Sequence, residues 1–202
     1  MATDVTGIYD RLGAGYDRLS GLLSSVGVNK LRTDLLARVR GQVVEIAVGS
    51  GVNLRHYPDG TRVTGLDLSG KSLAAARARA GHDGVDFVGV RGDATRLPFA
   101  DGSVDTVVCT MAGCVFPDPA AAFRDVRRVL RQDGQLLLLE HVRPAGRAGT
   151  ALVRAIKPVT VRALGCHPDR PTVTTVRDAG FGTTVLATAA RGLFVVVEAT
   201  PR

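Results

Sequence analysis

The stretch VVEIAVGSGVNL, Val43 to Leu54, decides how this chain folds. In VVEIAV only Glu45 is polar, which reads as a strand buried on both faces. The run stops at Gly49-Ser50-Gly51. Glycines there permit a tight turn and let a ligand approach the backbone without meeting a Cβ. The residues after Gly51 are expected to open a helix, whose first N–H groups have no partner within the helix.

The pattern continues outward from that turn. RVTGLDL, Arg62 to Leu68, reads as a second strand. SGKSLAAARARAG reads as a helix with Ser69 as N-cap and Gly81 just past its end. VDFVGV (85–90) and SVDTVVCTM (103–111) read as strands three and four. DPAAAFRDVRRVLRQDG reads as a helix capped by Asp118, with Pro119 in its first turn and a stop at Asp133-Gly134. QLLLLEHV is the fifth strand.

Strand and helix thus alternate from residue 43 to 141, which predicts a doubly wound, mostly parallel α/β sheet. Further on, ALVRAIKPVTVRAL is expected to be helical on both sides of Pro158, and TVTTVRDAGF to be a helix ending at Gly180. TTVLATAARGLFVVVEA reads as two strands around Ala190–Gly192, an antiparallel hairpin at the sheet edge. Upstream, residues 19–39 suit two short amphipathic helices broken near Gly27. The whole, 1–202, is read as one domain: a helical lid over 1–41 and an α/β core over 42–202.

Composition bounds the answer. A chain of 202 residues with 45% hydrophobic content fits one domain with a proper core. No run approaches the roughly 18 apolar residues of a membrane span, and a soluble cytoplasmic protein is expected. Cys109, Cys114 and Cys166 are an odd number, so no disulfide framework is expected. Their spacing is poor for zinc; they read as buried thiols, and no metal is expected. Net charge is +7, and only Lys30, Lys71 and Lys157 among the 26 basic residues are lysines. The arginine excess would suit phosphate, anionic lipid or an acidic partner. Arg124, Arg127, Arg128 and Arg131 fall on one helical stripe, which reads as a solvated face. The absence of Trp and the few other aromatics argue against a base-stacking nucleic-acid platform.

Ligands of open parallel sheets collect beyond the carboxyl ends of the strands. Gly49 and Gly51 lie at the first such end. Asp67 ends the second strand, sixteen residues on, where a carboxylate accepts both hydroxyls of a ribose. Gly92-Asp93-Ala94 follows the third, with a carboxylate for an adenine amino group and the Ala94 N–H for a ring nitrogen. Together these describe an adenosine site. A dinucleotide site wants glycine at position 54, where the chain has Leu54, and no Gly-Lys-Ser/Thr follows for a phosphate loop. S-adenosylmethionine, an adenosine ligand without phosphate, fits what remains.

The chain resembles the class I S-adenosylmethionine-dependent methyltransferases over almost its whole length. EIAVGSG resembles their first motif, acidic-x-Gly-x-Gly-x-Gly, and GLDLS their ribose motif. GDATRLPFADGSVDTVVCT resembles the third-strand motif and fourth strand, and RVLRQDGQLLLLEHV the helix and fifth strand. IYDRLGAGYD resembles the N-terminal lid of quinone- and lipid-methylating members, in which a tyrosine at the position of Tyr16 closes over the cofactor. CTMAGCVFPDP, LLEHV and GCHPDR resemble a narrower group that methylates alkyl thiols or phospholipid amines. One departure stands out: the first glycine of the motif is Ala47 here.

The resemblance implies a seven-stranded Rossmann-like sheet and S-adenosylmethionine as cofactor. It implies a cofactor site of Tyr16, Glu45, Ala47, Gly49, Gly51, Asn53, Asp67, Leu68, Asp93, Ala94 and Thr110. The acceptor is expected to be a small, partly apolar metabolite, with peripheral membrane contact and oligomeric state left open. Methyl transfer from a sulfonium is an in-line displacement in which holding the reactants supplies much of the acceleration, and no metal is required. O–H and S–H acceptors can use a base. His141, at the end of strand five beside Glu140, is the first candidate, with Tyr16 as a residue that shields cofactor or orients acceptor. His167 is a weaker candidate, and His56 and His82 read as surface residues. Met111, Val115 and Phe116 stand where an acceptor wall or core would be. The alternatives are a nucleic-acid methyltransferase, for which the arginine excess speaks, and a cofactor-binding protein that does not methylate, for which Ala47 speaks.

Overall fold

The computed structural model describes residues 7–8, 27–142 and 146–202. Most of the expected lid, with Tyr16 in it, lies outside the described residues. Seven strands form one sheet: β1 (Val43–Ile46), β2 (Val63–Asp67), β3 (Phe87–Arg91), β4 (Val104–Thr110), β5 (Leu130–His141), β6 (Phe181–Ala189) and β7 (Phe194–Pro201). Their spatial order is β3-β2-β1-β4-β5-β7-β6. The first five are mutually parallel, and β7 runs antiparallel to both β5 and β6. The doubly wound sheet and its antiparallel edge pair are therefore as the sequence predicts. A short 3₁₀ turn, Ala190–Gly192, joins β6 to β7.

Helices α1 (Asn29–Leu36), α2 (Gly70–Asp83), α3 (Pro119–Val129), α4 (Arg147–Leu164) and α5 (Thr172–Asp178) accompany the sheet. The run of four leucines in β5 shows why both faces need cover. Successive strand residues point to opposite sides. Leu136 and Leu138 enter the core with Phe123, Val126 and Phe181, whereas Leu137 and Leu139 enter the other with Leu35, Leu36 and Ala80. Each such leucine is at most 3% exposed, and burying one contributes about 1.5–3 kcal/mol.

Cap chemistry sets the helix ends. Ser69 Oγ accepts from the Ser72 N–H at 3.1 Å, and Asp118 Oδ1 accepts from the Ala121 N–H at 2.9 Å, with Pro119 opening α3. Both caps were expected. The end of α2 was not: the helix runs through Gly81 to Asp83. Gly84, at φ +70°, then closes it by donating to Ala80 O. α3 stops at Val129 rather than Asp133-Gly134, because Leu130 turns extended and pairs with Val104. α4 passes through Pro158 as a single helix. No helix among the described residues is long and apolar enough to cross a membrane.

Three of the four arginines expected on one solvated helical stripe are bonded within the fold: Arg127 and Arg128 on α3, and Arg131, which lies in β5. Arg128 donates to Asp125, Asp101 and the carbonyls of Leu97 and Phe99. Arg127 donates to Gly180 O, and Arg131 pairs with Asp105 at 3.0 Å.

Candidate active site

Because β1 to β5 are parallel, their last residues, Ile46, Asp67, Arg91, Thr110 and His141, all reach the same edge of the sheet. β1 is flanked by β2 on one side and β4 on the other, so the strand order reverses at β1. At such a switch the loops diverge and leave a crevice. The Gly49-Ser50-Gly51 turn stands at that crevice.

The two glycines do different things. A Cβ on Gly51 would lie 2.6 Å from Leu54 Cδ1 and 3.1 Å from Ala76 Cα, so Gly51 lets the turn pack against α2. A Cβ on Gly49 would meet nothing within 4 Å, so this glycine presents bare backbone to open space. Both have positive φ, +56° at Gly49 and +76° at Gly51. Ala47 also has positive φ, +53°, a conformation that costs an L-residue with a Cβ about 1–2 kcal/mol. The family motif's first glycine is thus absent at a position whose backbone favours glycine. The helix expected after Gly51 is only a 3₁₀ turn, Leu54–His56. Pro58 holds Tyr57 extended, at ψ 147°, and ends it.

Asp67 binds the crevice together. Its Oδ2 accepts from the Gly49 N–H and its Oδ1 from the Ser69 N–H, both at 2.9 Å. Its carbonyl accepts from the Gly92 N–H at 3.1 Å. One residue therefore fixes the loops after β1, β2 and β3. Beside it Leu68 is 41% exposed, an apolar side chain open to solvent. Asp93 is exposed and closes a turn by accepting from the Thr95 N–H at 2.8 Å, while Ala94 is buried in the core.

Glu45, Asn53 and Thr110 form a buried polar chain beneath the turn. Asn53 Nδ2 donates to Glu45 Oε1 at 2.7 Å and to Thr110 Oγ1 at 2.8 Å. Tyr57 donates its hydroxyl to Glu45 Oε2 at 2.7 Å. Both Glu45 oxygens are thus engaged by the protein. Burial pushes its carboxyl up to about 7, against the opposing pull of the Tyr57 and Asn53 hydrogen bonds. Tyr57 was not singled out in the sequence. A tyrosine following the glycine turn by a few residues carries no signal until the fold brings it under β1.

On the β4–β5 side, Glu140 is 1% exposed. Its Oε1 accepts from the N–H groups of Ala112, at 2.9 Å, and Gly113, at 2.7 Å, and so holds the loop after β4. Burial raises this carboxyl to about 7, with the His141 charge and the two N–H donors opposing. A lone carboxylate inside LLLLEHV is the signal that could have found it, since a buried charge demands partners. Met111, at φ +54°, begins the loop, and Phe116 lies in the core.

His141 does not stand alone. Its Nε2 lies 3.1 Å from Cys166 Sγ, which lies 3.6 Å from Cys114 Sγ. The Cys114 contact, then His141, draw the Cys166 thiol down to about 5 against its burial. Burial alone would lower His141, but the Cys166 contact and nearby negative charge leave it raised. The three cysteines are buried and unbridged, as expected, but the meeting of Cys114 and Cys166 with His141 was not foreseen. Fifty-two residues separate the two thiols, and no local pattern announces the encounter. His56 bonds Thr33 Oγ1 at 2.9 Å, and His82 pairs with Asp83 at the surface.

Comparison with known proteins agrees with this geometry. Residues 44–138 match the family described as "Methyltransferase domain". Thiol S-methyltransferase TMT1B of Homo sapiens is 40% identical over 104 residues, covering 50% of this chain and 42% of that protein. Phosphatidylethanolamine N-methyltransferase of Cereibacter sphaeroides is 35% identical over 103 residues, covering 50% of this chain and 51% of that one. The chain spans about half the length of these curated relatives. Among solved structures, an S-adenosylmethionine-dependent methyltransferase of Thermotoga maritima, described as a possible histamine N-methyltransferase, superposes with TM-score 0.75. It is 21% identical, and the match covers 97% of this chain and 99% of that one. The sheet order, the glycine turn pinned by Asp67 and these likenesses converge: residues 44–138 match a methyltransferase domain, and the chain has the fold of the S-adenosylmethionine-dependent methyltransferases.

Proposed function

We propose that the chain transfers a methyl group from S-adenosylmethionine to a small, partly apolar metabolite. The observation that carries this reading is the Gly49 backbone, open on its Cβ side and held by the Asp67 carboxylate at the switch in strand order. When bound, the cofactor supplies an electrophilic methyl on a sulfonium sulfur. In this reading the Gly49 turn lies against it, Asp67 accepts from its ribose hydroxyls and Leu68 covers an apolar face of the base. Asp93 and Ala94 then stand at the adenine end. Glu45 acts through Asn53 and Thr110, holding the turn and the end of β4 at fixed separation. In the same reading Tyr16, which lies outside the described residues, has the role of excluding water from the reacting centre.

The acceptor side belongs to the loop after β4 and the end of β5. Glu140 fixes that loop through Ala112 and Gly113. His141 lies there against Cys166, so its role is to hold that thiol rather than to wait as an isolated base. Thiol and amine acceptors suit the site, because a thiolate or a neutral amine presents its own lone pair.

The test has two parts. Calorimetry with adenosylhomocysteine is expected to show one binding site per chain. Incubation with deuteromethyl-labelled cofactor and a cell extract, read by mass spectrometry, is expected to give a labelled small molecule. Binding without any labelled product would favour the non-methylating alternative, and absence of binding would defeat the reading.

A further inference from the structure

The geometry points to a zinc site built from Cys114, His141 and Cys166 beyond the carboxyl ends of β4 and β5, with a fourth coordination position left open. The three donor atoms all lie within 4.8 Å of one another. The two measured edges of their triangle are 3.1 Å, His141 Nε2 to Cys166 Sγ, and 3.6 Å, Cys166 Sγ to Cys114 Sγ. Zinc held about 2.3 Å from sulfur and about 2.0–2.1 Å from nitrogen sets tetrahedral ligand atoms roughly 3.5–3.8 Å apart. The two edges given differ from these spacings by about half an ångström or less.

Backbone and side-chain bonds outside the cluster bring these donors together. Cys114 sits in the loop after β4, His141 ends β5, and Cys166 follows Gly165, the αL residue that closes α4. The His167 N–H donates to Cys114 O at 3.1 Å, and Arg170 donates to the carbonyls of Gly113 and Phe116. Lys157 pairs with Asp169 at 2.7 Å and ties the Cys166 turn back onto α4. The ligand-bearing segments are thus mutually fixed, which spares a bound ion the cost of ordering them.

The polar inventory of this corner is also incomplete. His141 Nδ1 and Glu140 Oε2 are both buried with no hydrogen-bond partner among the described residues. Two soft sulfur donors and one imidazole select zinc over magnesium or calcium, which take oxygen ligands. Three protein ligands with an open position are the arrangement of reactive rather than purely structural zinc. On binding, any proton still held by the two thiols or the imidazole passes to water, and the ion is held by two thiolates and a neutral imidazole. The open position accepts water or the sulfur of an added thiol. The proposal stands apart from the cofactor reading, since none of its ligands belongs to the adenosine crevice.

The experiment uses the full chain, purified under reducing conditions and loaded with zinc chloride, then gel-filtered and assayed for metal by mass spectrometry. One zinc per chain is expected. Cys114→Ser and Cys166→Ser are each expected to weaken zinc binding by about 100-fold or more in competition with a chromogenic chelator. Cys109→Ala, outside the cluster, is expected to retain it. Loading the parent with cobalt(II) chloride is expected to give thiolate-to-cobalt charge-transfer absorption, a readout that needs no variant to fold. Zinc below about a tenth per chain after loading, or zinc retained unchanged in both serine variants, would overturn the site. Reduced parent protein that takes up neither metal but readily forms a Cys114–Cys166 disulfide would overturn it too.

Discussion

The Asp67 carboxylate lies 2.9 Å from the Gly49 N–H, so the end of β2 sets the conformation of the turn after β1. The same carboxylate holds Ser69, the N-cap of α2. Asp67→Ala is therefore expected to act twice. It leaves two N–H donors unpaired and removes the proposed ribose acceptor. A charged hydrogen bond is worth about 1.5–3 kcal/mol, so adenosylhomocysteine affinity is expected to fall about 10–100-fold. Calorimetry checks this, and unchanged affinity would refute the ribose assignment.

Gly49→Ala and Gly51→Ala separate ligand approach from packing. At Gly51 the new Cβ strikes Leu54 and the Ala76 backbone, in addition to the positive-φ cost. A loss of about 2–4 kcal/mol in stability is expected. At Gly49 only the positive-φ cost of about 1–2 kcal/mol applies, because the new methyl enters open space. That methyl is expected to reduce cofactor affinity more than stability. Denaturant melts and calorimetry on both variants distinguish the two roles.

Ala47→Gly should reverse the usual penalty. Alanine to glycine ordinarily destabilises by about 0.5–1 kcal/mol through the entropy of the unfolded chain. Here the residue has φ +53°, so relief of about 1–2 kcal/mol opposes that loss. Stability is expected to be unchanged or higher by about 1 kcal/mol. A clear drop in the unfolding midpoint would show that the Ala47 methyl has a packing role.

Glu45 makes stability depend on pH. Its folded carboxyl, at about 7, lies above its ordinary value of 4.5, so the folded state holds the proton more tightly. The contribution is present below pH 4.5 and is lost as pH rises through about 7. For one group this amounts to about 3 kcal/mol. Glu45→Gln keeps an acceptor for Asn53 and a donor for Tyr57 without the titration. Relative to the parent, the variant is expected to gain stability between pH 4.5 and 7 and to hold a constant difference above it. Parallel unfolding curves across that range would rule the effect out.

The fold was legible because its signals are local. A buried strand ending in Gly-Ser-Gly, an aspartate closing the next strand and a Pro-headed amphipathic helix each announce themselves within a few residues. Ser69 and Asp118 were readable as caps for the same reason. The end of α2 was missed because Gly81 and Gly84 are equivalent in sequence and only the backbone bonding at Ala80 chooses between them. The site divided along similar lines. Gly49 and Asp67 were readable together, but the engagement of Glu45 by Tyr57 depends on a turn whose length Pro58 sets. The convergence of Cys114, His141 and Cys166 depends on three segments meeting in space, and nothing in their spacing encodes it.

β7 is seventh along the chain yet sixth across the sheet, between β5 and β6. During synthesis β6 emerges before β7, its neighbour in the sheet, so its native partner from Phe194 onward is still missing. Until then the apolar residues Leu136 to Leu139 of β5 line an open border able to recruit a neighbouring nascent chain. Closure of that border is a single late event, and a polypeptide interrupted at Gly192 is expected to precipitate rather than persist as a smaller folded body.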